Sequence, residues 1–274
     1  MINAFGLLYG MPLISLDNLE DDRLEVYRNL KHTNRTRWQN TFIAESKRVV
    51  RRLVESDFEI ESILVSHKRI ESISDWLPAD VLTFVLPHSL IEQLIGFNFH
   101  MGVMACGKRK INPLLSDFVS TTRRSTIVAC RDVMDPENMG TIIRLCTAFG
   151  VDGLLLGHRS ADPLSRRSLR VSMANALNLP IIQSSDFQQH LKELHERWQY
   201  DVAGTVLDDS AENLTQANRS DRLVIVFGNE SEGLDQETLS LCNRQITLPM
   251  QGGTDSVNVA VAAGIFLYHL TRLV

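Results

Sequence analysis

The sequence predicts an α/β protein: a parallel sheet flanked by helices, preceded by a smaller α/β domain. From residue 125 onward, short runs rich in Val, Ile and Leu alternate with helical segments. This alternation is typical of a parallel sheet covered on both faces. Before residue 110 the pattern is less regular, which indicates a separate unit. A length of 274 residues suits two domains.

The smaller domain is predicted over residues 17–110. FIAESKRVVRRLVES, from residue 42, has apolar residues at helical spacing and predicts a helix, as does SLIEQLIG. IESILVS, VLTFVL and HMGVMA predict strands. Residues 1–16 are predicted to be a docked or disordered arm, because an apolar stretch without signal-peptide features is interrupted by Gly6, Gly10 and Pro12. Residues 111–120 are predicted to be a linker.

The larger domain is predicted over residues 121–274. The predicted strands are STIVACRDV, VDGLLLG, PIIQS, DVAGTVL, LVIVFG and QITLPM. The predicted helices are MGTIIRLCTAFG, SLRVSMANALN, DFQQHLKELHERW, DQETLSLCN and SVNVAVAAGIFLYHLTRLV. Ligands of such sheets bind in loops beyond the carboxyl ends of the strands. The loops to consider are therefore DPENMG, FGNESEG and PMQGGTDSVN.

Composition narrows the class of protein. With 44% hydrophobic and 22% charged residues, the chain has the composition of a globular protein. No apolar run approaches the roughly 18 residues of a membrane span. Its four cysteines show neither a C-x-x-C pair nor a histidine at metal-ligand spacing, which predicts no metal site, no disulfide framework and a reducing cytoplasm. They are Cys106, Cys130, Cys146 and Cys242.

Although the net charge of the chain is −5, the segment between residues 28 and 52 is basic. One acid, Glu45, stands there against eight basic residues: Arg28, Lys31, Arg35, Arg37, Lys47, Arg48, Arg51 and Arg52. His32, Trp38 and Phe42 lie among them, and cations mixed with aromatic rings can bind phosphates and stack on bases. A solvated helix face is the alternative. A second cluster favours RNA or DNA: Arg159, Arg166, Arg167 and Arg170.

The first two of these loops each allow a structural and a functional interpretation. Asn138 either caps the helix that follows Pro136 or contributes to a site. Arg144 lies on that apolar helix, where it either extends to water or pairs specifically. Gly228 lets the backbone approach a ligand, whereas Glu230 can equally complement a helix dipole.

Taken together, the loops resemble the three motifs of the SpoU family of RNA ribose 2′-O-methyltransferases, in the knotted SPOUT class. The motifs are DPENMGTIIR with AFGVDGLLL, then FGNESEGL, then LPM with SVNVAVAAGIFLYHL. The preceding domain is similar to the ribosomal-protein-like RNA-binding domain of many members. The sequence differs from the family's pattern at two positions. Glu45-Ser46 stands where the family has Glu-Gly, and Val257 stands where it has Leu; neither difference changes a reactive group.

The resemblance implies a deep C-terminal trefoil knot and a homodimer with active sites near the subunit interface. S-adenosylmethionine would be held by main-chain groups around four residues: Thr205, Gly228, Leu248 and Val257. The substrate would be RNA, with ribosomal RNA favoured over transfer RNA because of the added RNA-binding domain.

The resemblance also implies roles for five catalytic candidates: Asn138, Arg144, Glu230, Ser256 and Asn258. Arg144 would stabilise the alkoxide rather than act as a base, because a guanidinium is a poor proton acceptor. Asn138 would orient Arg144 or the ribose, and Glu230 would hold Arg144 or a substrate group. Ser256 and Asn258 would shape the pocket or contact the substrate.

Two other classes are weighed against this one. A non-catalytic RNA-binding relative should have lost one of the motif side chains, and none is missing. A nucleotide-dependent oxidoreductase is disfavoured, because no G-x-G-x-x-G follows the first strand.

Overall fold

A computed structural model describes residues 12–31, 39–117, 119, 123–251 and 256–273. It divides into two compact units, one formed by residues 1–110 and 164–177, the other by residues 111–163 and 178–274. Several residues discussed above lie outside the described residues: Gly6 and Gly10 of the predicted arm, and His32, Arg35, Arg37 and Trp38 of the basic segment.

The first unit contains a five-stranded mixed sheet in the order β1-β4-β3-β5-β2. β1 and β3 run parallel to β4, and β5 runs antiparallel to β3 and β2. The strands are β1 (Leu13–Ser15), β2 (Thr41–Glu45), β3 (Ile60–Ser66), β4 (Thr83–Leu86) and β5 (Val103–Lys108). Two helices accompany them, α1 (Lys47–Val54) and α2 (His88–Ile95). Part of the predicted arm is thus a strand.

The helix predicted from residue 42 is wrong in its first part. Residues 41–45 form β2, with every residue buried and Phe42 paired opposite Gly107 of β5. Ser46 separates strand from helix with a φ of 92°, and its side chain accepts a hydrogen bond from Val49 N. Hydrophobic spacing alone does not distinguish a short buried strand from a helical turn.

A segment from the larger predicted domain completes the first unit. Residues 164–177 contain α4 (Arg166–Val171), which is shorter than predicted. Arg166 donates to Leu30 O at 2.9 Å and lies 3.4 Å from a Glu45 carboxylate oxygen. Its guanidinium also lies 4.5 Å from the ring centroid of Phe97. The basic cluster is therefore divided, with Arg159 in the second unit and the other three arginines here.

The second unit is the predicted parallel sheet, with strands in the order β10-β12-β9-β11-β6-β7-β8. Every neighbouring pair described runs parallel. The strands are β6 (Ser125–Cys130), β7 (Gly153–Leu156), β8 (Ile181–Gln183), β9 (Asp201–Val206), β10 (Glu212–Asn213), β11 (Arg222–Phe227) and β12 (Arg244–Thr247). The α/β class is confirmed; the short β10 is an addition to the prediction.

Four helices of the second unit lie among the described residues. They are α3 (Pro136–Phe149), α5 (Phe187–Glu196), α6 (Gln236–Ser240) and α7 (Val259–Tyr268), with π-helical residues His269–Leu273 after α7. On α5, Phe187, Leu191 and Leu194 recur at helical spacing and are buried against Val202 and Val224 of the sheet. Within the described ranges, every helix is too short or too polar to cross a membrane.

Candidate active site

Three predicted cofactor residues lie at one edge of the parallel sheet. Thr205 of β9 pairs with Ile246 of β12, so Leu248 follows just beyond the end of β12. Gly228 directly follows β11, which pairs with β9 on one side and β6 on the other. The ends of adjacent parallel strands thereby bring Thr205, Gly228 and Leu248 to the same edge.

The loop after β11 is a tight turn with no room for a side chain at its first residue. A Cβ on Gly228 would lie 2.2 Å from the carbonyl carbon of Gly233. Asn229 and Gly233 exchange both backbone hydrogen bonds, each 3.0 Å long. Gly233 has a φ of +68°, which favours glycine. The backbone of Gly233 therefore occupies the space that a side chain at residue 228 would need.

Asn229 organises this turn, and the sequence analysis overlooked it. Its Oδ1 accepts hydrogen bonds from the backbone N–H of Ser231 at 2.9 Å and Glu232 at 3.1 Å. Its Nδ2 donates to the carbonyl oxygen of Asp132 at 2.9 Å, joining the second motif loop to the segment just before the first. An asparagine between a strand and an acidic turn is a recognised Asx-turn signal, so this role was open to sequence reasoning.

The start of α3 rules out one of the two interpretations of Asn138, that it caps this helix. Asp135 is the N-cap, and its side chain accepts a 2.7 Å hydrogen bond from Glu137 N. Pro136 occupies the first helical position, where its missing N–H costs nothing. Asn138 lies further along the first turn and is buried. Its side chain is consequently available for other partners.

Glu230 joins the second motif to the start of α3. One carboxylate oxygen accepts from Asn138 Nδ2 at 3.0 Å and Asp135 N at 3.2 Å, and the other accepts from Met134 N at 3.3 Å. Burial raises the pKa of Glu230, but hydrogen bonds from Asn138 and from the backbone outweigh it, so the pKa lies below its ordinary value. The ionised carboxylate complements the positive end of the α3 dipole.

Asn258 joins the third motif to the first. Its Oδ1 accepts from the N–H of Ala260 at 2.9 Å and Val261 at 3.3 Å, capping α7. Its Nδ2 donates to Asn138 Oδ1 at 2.9 Å. The Glu230–Asn138–Asn258 chain therefore connects the three motifs through side chains. Val257, partly buried, and Ser256, exposed, directly precede Asn258; Gly252–Asp255 lie outside the described residues.

Arg144 stands apart from this chain of hydrogen bonds. It follows Asn138 by six residues on α3, and six residues rotate a side chain by about 240° around a helix. Its side chain is exposed and has no hydrogen-bond or ion-pair partner among the residues described. Within one chain, Asn138 and Glu230 contact each other rather than Arg144. Their predicted roles toward the ribose or another substrate group stay predictions.

An apolar stripe lies on the outer face of α7. Val261, Ile265 and Tyr268 are exposed by 53%, 40% and 51%, and their spacing places them on one face. The Tyr268 ring also meets Phe149 of α3 edge-to-face at 6.1 Å between centroids. Exposed apolar residues grouped in this way are typical of an association surface.

Comparison with known proteins identifies relatives that cover most of the chain. The family described as SpoU rRNA Methylase matches residues 125–268. A Mycobacterium bovis protein, named an uncharacterized tRNA/rRNA methyltransferase, is 30% identical over 270 residues, 96% of this chain and 93% of that protein. The 23S rRNA (guanosine(2553)-2′-O)-methyltransferase RlmP of Bacillus subtilis is 25% identical over 256 residues, 93% of this chain and 98% of that protein.

A solved structure has the same fold. The crystal structure of an AdoMet-bound rRNA methyltransferase from Sinorhizobium meliloti matches with a TM-score of 0.80 at 24% sequence identity. The match covers 96% of this chain and 99% of that one.

Proposed function

The chain belongs to the SpoU rRNA methylase family, and we propose that its three connected motifs transfer a methyl group to a ribose 2′-hydroxyl of ribosomal RNA. It is an RNA methyltransferase whose cofactor is S-adenosylmethionine. The observation that carries the proposal is the Glu230–Asn138–Asn258 chain, which holds the three motif loops together beside the ends of β6 and β11.

The cofactor would bind at the strand ends, held by main-chain groups around Thr205, Gly228, Leu248 and Val257. This set fits a flat nucleoside, because the strands that bear the first three residues end side by side and present main-chain groups there. When bound, S-adenosylmethionine supplies an electrophilic methyl group on a positively charged sulfonium. The protein's own residues would position the ribose and stabilise the negative charge that develops on its oxygen.

Arg144 would bind the reacting ribose oxygen and stabilise the negative charge that develops there. A guanidinium stays protonated at neutral pH, so it donates hydrogen bonds and does not act as the base. Asn138 and Asn258 would set the ribose position, and Ser256 would contact the substrate. Glu230 accepts hydrogen bonds from the start of α3 and from Asn138, and it would thereby fix the position of the Asn138 side chain.

We further propose a homodimer in which Arg144 serves a site assembled with the neighbouring subunit. Two observations support it: Arg144 is exposed and unpaired among the described residues, and the apolar stripe lies on α7, the helix that packs against α3. A Cβ on Gly264 of α7 would lie 3.5 Å from Leu145, the residue after Arg144. A symmetric contact through this stripe would bury its three apolar side chains.

Three finer expectations also belong to the proposal. The last segment would pass through a loop to form the trefoil knot, and the first unit would bind RNA in the manner of a ribosomal protein. The enzyme would work in the cytoplasm, which is consistent with four free cysteines, three of them buried.

The test is transfer of labelled methyl groups to total RNA from a strain lacking the protein. Label in a 2′-O-methyl nucleoside of ribosomal RNA supports the proposal. Label in the transfer RNA fraction keeps the chemistry but changes the substrate, an alternative consistent with the name of the mycobacterial relative. Absence of label together with absence of cofactor binding would contradict it.

A further inference from the structure

A basic pocket lies within the first unit, at the amino end of α1. Its volume is about 450 Å³. Its basic lining residues come from four segments of the chain: Lys47, Arg48, Arg69, His100 and Arg170. No Asp or Glu is among the described residues that line it. The pocket thus concentrates positive charge in a concave site.

The arginines of the basic pocket have no counterion in the described part of the chain. Among the residues described, Arg48, Arg69 and Arg170 form no ion pair. Arg51, on the same helix as Arg48, instead pairs with Glu55 at 2.8 Å. Uncompensated like charges in a concavity repel one another and favour occupation by an anion.

The backbone around the pocket positions these groups. Gly102 has a φ of +74°, and a Cβ there would lie 2.5 Å from Arg69 Cγ, so the absence of a side chain makes room for the arginine stem. Lys47 donates through Nζ to the carbonyl oxygen of Ser72. The amino end of α1 adds its partial positive charge to the cations.

The shape and chemistry of the basic pocket fit a nucleic-acid backbone. Several cations spread over four segments match an anion with repeated charges better than a single small ion. The exposed His100 and Met101 add a flat ring and an apolar surface that can contact a ribose or an unstacked base.

We propose that the basic pocket binds the phosphodiester backbone of the substrate RNA. The inference rests on the proposed function, since that function supplies the RNA. It adds a site outside the three motifs, and it gives a role to residues 164–177, the segment that completes the first unit. Arg170 lies in the sequence matched by the methylase family, yet it packs within the first unit and lines its anion site.

The test compares Arg48→Gln and Arg69→Gln with the matched control Arg51→Gln in the full-length protein. RNA binding is measured at several salt concentrations without S-adenosylmethionine. Each pocket variant should weaken RNA binding about tenfold and lower the slope of log K against log salt by about 0.7 to 0.9. The control should bind as the unaltered protein does, and the affinity for S-adenosylmethionine should stay constant in all three variants.

Steady-state kinetics separates this inference from the proposed function. In the pocket variants, KM for RNA should rise with kcat unchanged. The lost contacts would stabilise bound RNA equally in the ground state and in the transition state. Equal RNA affinity and salt slope in the pocket variants and the control would overturn the inference even if methyl transfer is normal. Weakened binding confined to the pocket variants would support it even if the unaltered protein transfers no methyl group to ribosomal RNA.

Discussion

Asn258 donates a 2.9 Å hydrogen bond to the side-chain oxygen of Asn138, although 120 residues separate the two along the chain. The direction of this bond follows from helix capping. Asn258 Oδ1 accepts from the first turn of α7, which leaves its Nδ2 to donate. Asn138 must therefore accept with Oδ1 and donate with Nδ2 to Glu230. One capped helix thus determines the amide orientation at the centre of the site.

Asn138→Asp should break the chain of hydrogen bonds at its centre. The new carboxylate can accept from Asn258 but cannot donate to Glu230, and two like charges would face each other at hydrogen-bond distance. We expect a loss of stability of about 1–3 kcal/mol and a strong loss of methyl transfer. Chemical unfolding and methyl-transfer assays measure the two effects.

A second substitution should rescue this variant. Glu230→Gln removes the repulsion between the two carboxylates and restores a donor opposite the new carboxylate. Its remaining oxygen can accept from Met134 N–H, whereas Asp135 N–H loses its acceptor. The double variant should therefore be more stable than Asn138→Asp alone. If the two substitutions lower the unfolding free energy additively, the contact between these two side chains does not explain the effect of Asn138→Asp.

Arg144→Ala should reduce kcat by about 10²–10³, the usual effect of removing a donor that stabilises transition-state charge. Cofactor affinity should be nearly unchanged. Full activity in Arg144→Ala would refute the assignment. Arg144→Lys should recover little, since a lysine does not reproduce the planar donor geometry.

Mixing Arg144→Ala with Asn258→Ala tests whether the site is shared between subunits. Each variant alone should be inactive. If Arg144 acts across the interface, a mixed dimer contains one intact site, and random exchange should restore about a quarter of the activity. No recovery, with subunit exchange verified, would place Arg144 and Asn258 in one subunit's site.

Ile265→Glu should dissociate the proposed dimer. The substitution places a charge in the apolar stripe, where a symmetric contact would bring two like charges together. Light scattering should show a monomer, and circular dichroism should show that the monomer remains folded. A dimer of unchanged mass would mean that another surface mediates association.

Glu230 should make stability depend on pH in the acid range. Its pKa in the folded state lies below the ordinary value of 4.5, so its contribution is complete above that pH and is lost as the pH falls through the folded pKa. In Glu230→Gln, the decline in unfolding free energy below about pH 4.5 should be shallower. Identical pH profiles for the two proteins would contradict the hydrogen bonds described here.

Ser46 should respond in opposite directions to two small substitutions. Its φ of 92° and ψ of 149° lie in a region that only glycine adopts easily. Ser46→Gly should raise the unfolding free energy by about 0.5–1 kcal/mol, because relief of strain exceeds the loss of the cap and the added chain entropy. Ser46→Ala keeps the strain and loses the cap to Val49, so it should destabilise by about 1 kcal/mol.

Local sequence patterns were sufficient for most of the second unit. Buried strands such as LVIVFG and amphipathic helices such as DFQQHLKELHERW depend on residues close together in the chain. The motif residues were also found in the sequence, because their order and spacing resemble a known family. The pattern failed at TFIAE, where a strand beside a helix has the same hydrophobic spacing as a longer helix.

Three-dimensional folding was needed for everything that joins distant segments. No periodicity indicates that residues 164–177 pack within the first unit, because that depends on contacts such as Arg166 with Leu30 and Arg52 with Asn175. The chain from Asn258 through Asn138 to Glu230 likewise requires three strand ends and two helix starts to meet. Hydrophobic spacing reports which side of an element is buried, whereas the partners of a buried polar group depend on the whole fold.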